Sequence, residues 1–204
     1  MAVELRVGFV TGTTPDKWAR AWRDQRRGPL TLVPIAEDEQ EDVVRRGEVD
    51  MALVRLPADG APDDWHHDWH HDWHHVRLYD EVPVVVAGRD HLVAAADDTV
   101  TLDDLTDEQL VRPHASRWLP AADQLSWPTM SEQEAIETVA AGTGIVIVPM
   151  SVARLFQRKD VVHREVTDLS ATTIALVWPR DRDDDLTQAF VGVVKGRTAN
   201  SSRR

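Results

Sequence analysis

The first 56 residues alternate between two hydrophobic periods, and this alternation leaves few folds open. Leu5 to Val10 (LRVGFV) is an apolar run of strand length, and Leu30 to Ile35 (LTLVPI) and Val49 to Leu56 (VDMALVRL) repeat it. Between the runs, apolar residues come at helical spacing. Trp18, Ala19 and Trp22 form one stripe, with Pro15 as first helical residue, Thr14 as the expected N-cap, and Gly28-Pro29 as the stop. Glu37 to Arg46 predicts a second helix, acidic first and basic last as the helix dipole favours, ending at Gly47. Strand, helix, strand, helix, strand predicts a parallel sheet with crossover helices, an α/β fold. In such sheets ligands sit beyond the carboxyl ends of the strands. That rule singles out the turn Thr11, Gly12, Thr13 and Thr14, where the first strand hands over to a helix.

The remainder continues the mixed pattern. Val76 to Ala87 predicts one or two strands, and Pro83 within it predicts a bend or an edge position. Thr101 to Leu105 opens a short helix, Asp107 to Val111 is a short strand or turn, and residues 112–128 are irregular and rich in proline and tryptophan. Ser131 and Glu134 have the spacing of a capping box, and the helix they open runs to Gly142. A buried strand (Gly144 to Pro149), a helix (Ser151 to Gln157), two strands (Val161 to Val166, Thr172 to Trp178) and an amphipathic helix (Leu186 to Val194) follow. Residues 196–204 predict a disordered tail.

Charge and composition exclude several function classes. Lys plus Arg total 23 against 35 Asp plus Glu, a formal net charge of −12, which argues against direct nucleic-acid binding by this chain. Its densest basic cluster, Arg20, Arg23, Arg26 and Arg27, reads as a solvated helix face. There is no cysteine, no long apolar run and no signal-like N-terminus, which predicts a cytoplasmic protein without membrane contact. No Gly-x-Ser-x-Gly elbow, P-loop, His-Glu-x-x-His or Gly-x-Gly-x-x-Gly motif occurs, so the expectation is a protein that is not an enzyme and requires no cofactor.

Residues 64–75 read Asp-Trp-His-His three times and hold six of the nine histidines. On a helix, His66, His70 and His74 would fall along one side with His67, His71 and His75 beside them, a spacing that suits Zn, Ni or Cu. The competing reading is a duplicated surface loop, which a fold tolerates cheaply.

Four stretches in order resemble one family. They are LRVGFV with TGTTPDKW, RRGEVDMALVR, LYDEVPVVVAGRDHLVAAADDTVTLDDL, and EAIETVAAGTGIVIVPMSVARL. Together they resemble the effector-binding domain of LysR-type transcriptional regulators, a type 2 periplasmic-binding-protein fold. The resemblance implies two lobes, residues 1–83 with 164–204 and residues 84–163, joined by two hinge crossings, with the repeat as an insert in the first lobe. It also implies a small-molecule effector in the inter-lobe cleft and a homodimer. The family's helix-turn-helix is absent from this sequence, which leaves open a truncated regulator or a stand-alone sensor domain.

If that fold holds, the helix starts after Thr11–Thr14 and at Ser131 face the cleft, where free N–H groups and the dipole favour an anion such as a carboxylate. Arg55, near the carboxyl end of the third strand, would add a bidentate contact, and Met130 and Pro149 would line the wall. Thr14 and Ser131 also have the simpler role of helix caps, and Arg55 that of pairing with Asp50 or another acid.

Overall fold

The computed structural model describes residues 4–25, 27–57 and 72–196. The chain forms two compact units, Met1–Tyr79 with Thr173–Arg204 and Asp80–Thr172. The crossings therefore fall at 79/80 and 172/173, against the 83/84 and 163/164 expected. A crossing at 163/164 would cut strand β8 (Val161–Val166), which pairs along its length with β5 (Pro83–Gly88) inside the second unit.

The first unit is built on a five-stranded sheet of order β2-β1-β3-β9-β4. Its strands are β1 (Leu5–Val10), β2 (Leu30–Ile35), β3 (Met51–Pro57), β4 (Trp73–Glu81) and β9 (Thr172–Pro179). β1 pairs in parallel with β2, from Leu5↔Leu30 to Val10↔Ile35, and with β3, from Val7↔Met51 to Phe9↔Leu53, as the alternation predicted. Both faces are covered, which is why β3 reads as a continuous apolar run. Met51 and Leu53 enter one core with Trp18, Trp22 and Phe190, while Ala52 and Val54 enter the other with Val10, Val44 and Ile174. Helix α1 (Asp16–Asp24) packs Trp22 edge-on to Phe190 of the last helix, with ring centroids 5.7 Å apart. The Trp22 indole N–H is satisfied by the Gly28 carbonyl at 3.0 Å.

Two local expectations change. Pro15 has helical dihedrals and its carbonyl accepts from Trp18 and Ala19, but the exposed Thr14 hydroxyl makes no cap bond. The helix starts one residue later than expected, so Pro15 occupies the N-cap position and Thr14 stands one residue outside it. The single helix predicted over Glu37–Arg46 is a 3-10 turn (Glu37–Glu39) followed by the short helix α2 (Asp42–Arg45). The break falls at Gln40, whose buried amide exchanges hydrogen bonds with the Arg55 backbone: it accepts from N at 2.9 Å and donates to O at 3.1 Å. The glutamine side chain substitutes for a neighbouring strand at the end of β3, and that pairing outweighs helix continuity.

The second unit holds a four-stranded sheet of order β6-β8-β5-β7, with β6 at Thr99–Val100 and β7 at Ile145–Pro149. β5 is antiparallel to β7 (Pro83↔Pro149 to Ala87↔Ile145) and to β8 (Val84↔Glu165 to Gly88↔Val161). The chain does break between β4 and β5, yet β5 is central and not an edge. Pro83 is tolerated as its first residue, where a missing N–H costs least. Helix α3 (Glu132–Ala140) carries the predicted capping box, and α4 (Met150–Leu155) follows β7 directly. Val84 and Val86 of β5 pack under α3, and Val85 and Ala87 pack on the opposite face with Leu105 and Ile147. Gly144 has a φ of +65°, and a Cβ there would stand 2.3 Å from the Gln109 carbonyl, so no other residue fits without moving backbone.

Residues 112–128 contain no helix or strand, yet they are tied down. Gln124 donates to the Glu108 carbonyl and accepts from Leu110 N, while Gln109 donates to the Asp123 carbonyl and accepts from Leu125 N. Returning to the first unit, the chain ends in α5 (Asp185–Val194), with Asp184 capping the Leu186 and Thr187 amides. Among the described residues no helix is long and apolar enough to cross a membrane.

Candidate functional site

In the first unit the structure gathers Thr11, Gly12, Thr13, Thr14 and Arg55 at the carboxyl ends of β1 and β3. The turn closes through Thr13 N to the Val10 carbonyl at 3.1 Å, and Gly12 has a φ of +86°, a conformation that favours glycine. Thr13 is 5% exposed and its Oγ1 has no hydrogen-bond partner. A buried hydroxyl left unpaired costs about 1–3 kcal/mol, so folds rarely keep one without a use.

Arg55 is 3% exposed. Its Nη1 lies 2.5 Å from Glu37 Oε2, and its Nη2 donates to the Thr11 carbonyl at 2.8 Å. The guanidinium thus braces the turn and meets an acid eighteen residues earlier in sequence. Asp50, the alternative partner, instead receives Arg6 and Arg182 at the far end of the sheet, at 2.9 and 2.8 Å. The bonds from Arg6 hold the Asp50 carboxyl below its usual range against the cost of burial.

In the second unit Met130 packs against the α3 core beside Trp127. Ser131 is engaged by its own helix: Oγ accepts from Glu134 N at 3.3 Å and donates to Glu134 Oε2 at 2.8 Å. The Ser131 amide and hydroxyl hold the Glu134 carboxyl below its ordinary value. Arg112 binds Glu132 at 3.1 Å and the Met130 carbonyl at 3.2 Å. Pro149 ends β7 opposite Pro83. Trp127 Nε1, a donor with no acceptor capacity, is buried without a partner. Sequence reasoning missed Glu37, Gln40 and Trp127, because the first two act on a residue 15–18 positions away and a tryptophan in an irregular stretch carries no pattern. Elsewhere in this unit, Gly88–His91, Ala140–Gly142 and Arg158–Asp160 surround an open depression of about 770 Å³.

Of the histidine repeat, His66, His67, His70 and His71 lie outside the described residues. The third copy corrects the helical spacing, because its Trp73, His74 and His75 begin strand β4, where neighbours point to opposite faces. Trp73 is 7% exposed and belongs to the core with Val54 and Ala175. His74 lies against the Trp178 ring, centroids 5.3 Å apart, with Nε2 3.5 Å from Asp183 Oδ2, while His75 is exposed. Burying the indole gains more than a loop or helix would, so the third copy is a strand. Among the described residues no group of three or more His, Asp or Glu side chains is placed to hold a metal ion.

The family model described as the LysR substrate binding domain matches residues 4–199. The chain belongs to that family. A curated relative, the Hca operon transcriptional activator HcaR of Escherichia coli K12, is 24% identical over 216 residues, covering 97% of this chain and 69% of the activator. The fold of this LysR substrate-binding domain is similar to that of the BenM effector-binding domain with its effector benzoate (TM-score 0.71, 18% identity, 98% of this chain and 94% of that one). It is equally similar to the reduced OxyR regulatory domain from Pseudomonas aeruginosa (TM-score 0.70, 19% identity, 95% and 96%). The fold is therefore the mixed α/β, two-lobed periplasmic-binding-protein-like architecture expected from the sequence.

Proposed function

We propose that this LysR substrate-binding domain senses a small-molecule effector and performs no chemistry on it. The family match over residues 4–199 carries the reading. The strand-end turn supports it in physical terms, because Thr13 keeps a buried, unpaired hydroxyl where α/β sheets take their ligands. The sensing step is a shift between conformations, sized by the effector's differential affinity for them. The domain works as a homodimer in the cytoplasm and does not itself bind nucleic acid.

The experiment is a thermal-shift screen of the whole chain against small carboxylic acids, amides, esters and alcohols. A saturable rise in Tm without consumption of the compound is the expected result. Turnover of the hit compound, or no shift across the screen, refutes the reading. Sedimentation of the same sample tests the dimer, and a monomeric mass at working concentration rules it out.

A further inference from the structure

We infer that Glu37 is a charge selector, and that the effector group received by the Thr11–Thr14 turn is uncharged and carries a hydrogen-bond acceptor, such as an amide, ester or ketone oxygen. The inference rests on the effector-sensing reading and replaces the anion expected from sequence alone with a neutral group. Arg55 is the buried cation at that turn among the described residues, and Glu37 meets it at 2.5 Å while the Thr11 carbonyl takes a second N–H at 2.8 Å. At 3% exposure the guanidinium is buried with its charge already matched, so an anion would have to displace Glu37 to reach it. What remains for a ligand is neutral: Thr13 Oγ1, 5% exposed and without a partner. A hydroxyl in that position donates to a neutral oxygen with no charge to balance.

The test compares matched pairs, benzoate with benzamide and hexanoate with hexanamide, by calorimetric titration of the whole chain. The wild type is expected to bind the amide on the order of tenfold more tightly than the acid of each pair. Glu37→Gln, which takes the Glu37 carboxylate away from Arg55, is expected to reverse that ratio. The charge-neutral double variant Glu37→Gln/Arg55→Leu is expected to restore it, and Thr13→Val to weaken the amide. A wild type that prefers the acid overturns the inference while leaving effector sensing intact, and this holds whether or not the single variant folds. An unchanged acid-to-amide ratio in folded Glu37→Gln also overturns it. Absence of binding by all four probes counts against the selector; failure of the wider screen counts against effector sensing itself.

Discussion

His114 should make the second unit lose stability as pH falls from neutrality, and removing it should flatten that loss. Its Nδ1 accepts from the Ser116 amide at 3.2 Å and lies 2.9 Å from Ser116 Oγ, which places the ring proton on Nε2. Burial, with Arg112 as a nearby like charge, pushes the imidazole from 6.5 down to about 4. The unfolded chain then takes up a proton near pH 6.5 that the folded chain refuses until about pH 4, so stability rises with pH across that window. The displacement, at about 1.4 kcal/mol per pH unit, corresponds to about 3 kcal/mol between the two ends. That is a large part of a typical domain's stability of about 5–15 kcal/mol. His114→Asn keeps an acceptor for the Ser116 amide and removes the titration. Urea unfolding followed by tryptophan fluorescence from pH 7 to 4.5 should show a shallower acid decline for the variant than for the wild type. The other histidines and the carboxylates cancel in that difference. Parallel declines, or an NMR titration of His114 near 6.5, would refute the reasoning.

Other outcomes follow from single contacts. Trp22→Ala and Trp73→Ala should each cost about 3–5 kcal/mol by urea unfolding, because both indoles lie in the first unit's cores. Gly144→Ala should cost at least about 2 kcal/mol, since a Cβ meets the Gln109 carbonyl; a neutral result would show that the turn relaxes. Asp50→Asn should lower stability at neutral pH and weaken its acid dependence. The wild-type carboxyl is held low, so its contribution is full above its unfolded pKa and is lost as pH falls through the folded one. Gln124→Ala should raise amide hydrogen exchange at Leu110 and nearby in residues 112–128, where its side chain holds the backbone.

The parts of this fold legible in the sequence are those where local pattern and tertiary burial agree. The β1, β2 and β8 bounds coincide with their apolar runs, and the Ser131–Glu134 capping box forms as its spacing predicts. Illegible parts depend on a distant partner. Gln40 splits a well-patterned helix to pair with Arg55, and Trp73 turns a repeat that looks helical into a strand because a core site receives it. The site divides in the same way. The turn at Thr11–Thr14 was visible from strand order alone, but the ion pairing of Arg55 was not, because its acidic partner Glu37 is brought to it by a fold the sequence does not spell out.

The most direct test of the account is hydrogen exchange of the whole chain with and without a saturating hit from the screen. Effector sensing at the proposed site predicts slowed exchange in the turn after β1, centred on Thr13. Protection confined to the depression of Gly88–His91 and Arg158–Asp160, with the Thr13 turn unchanged, would contradict it.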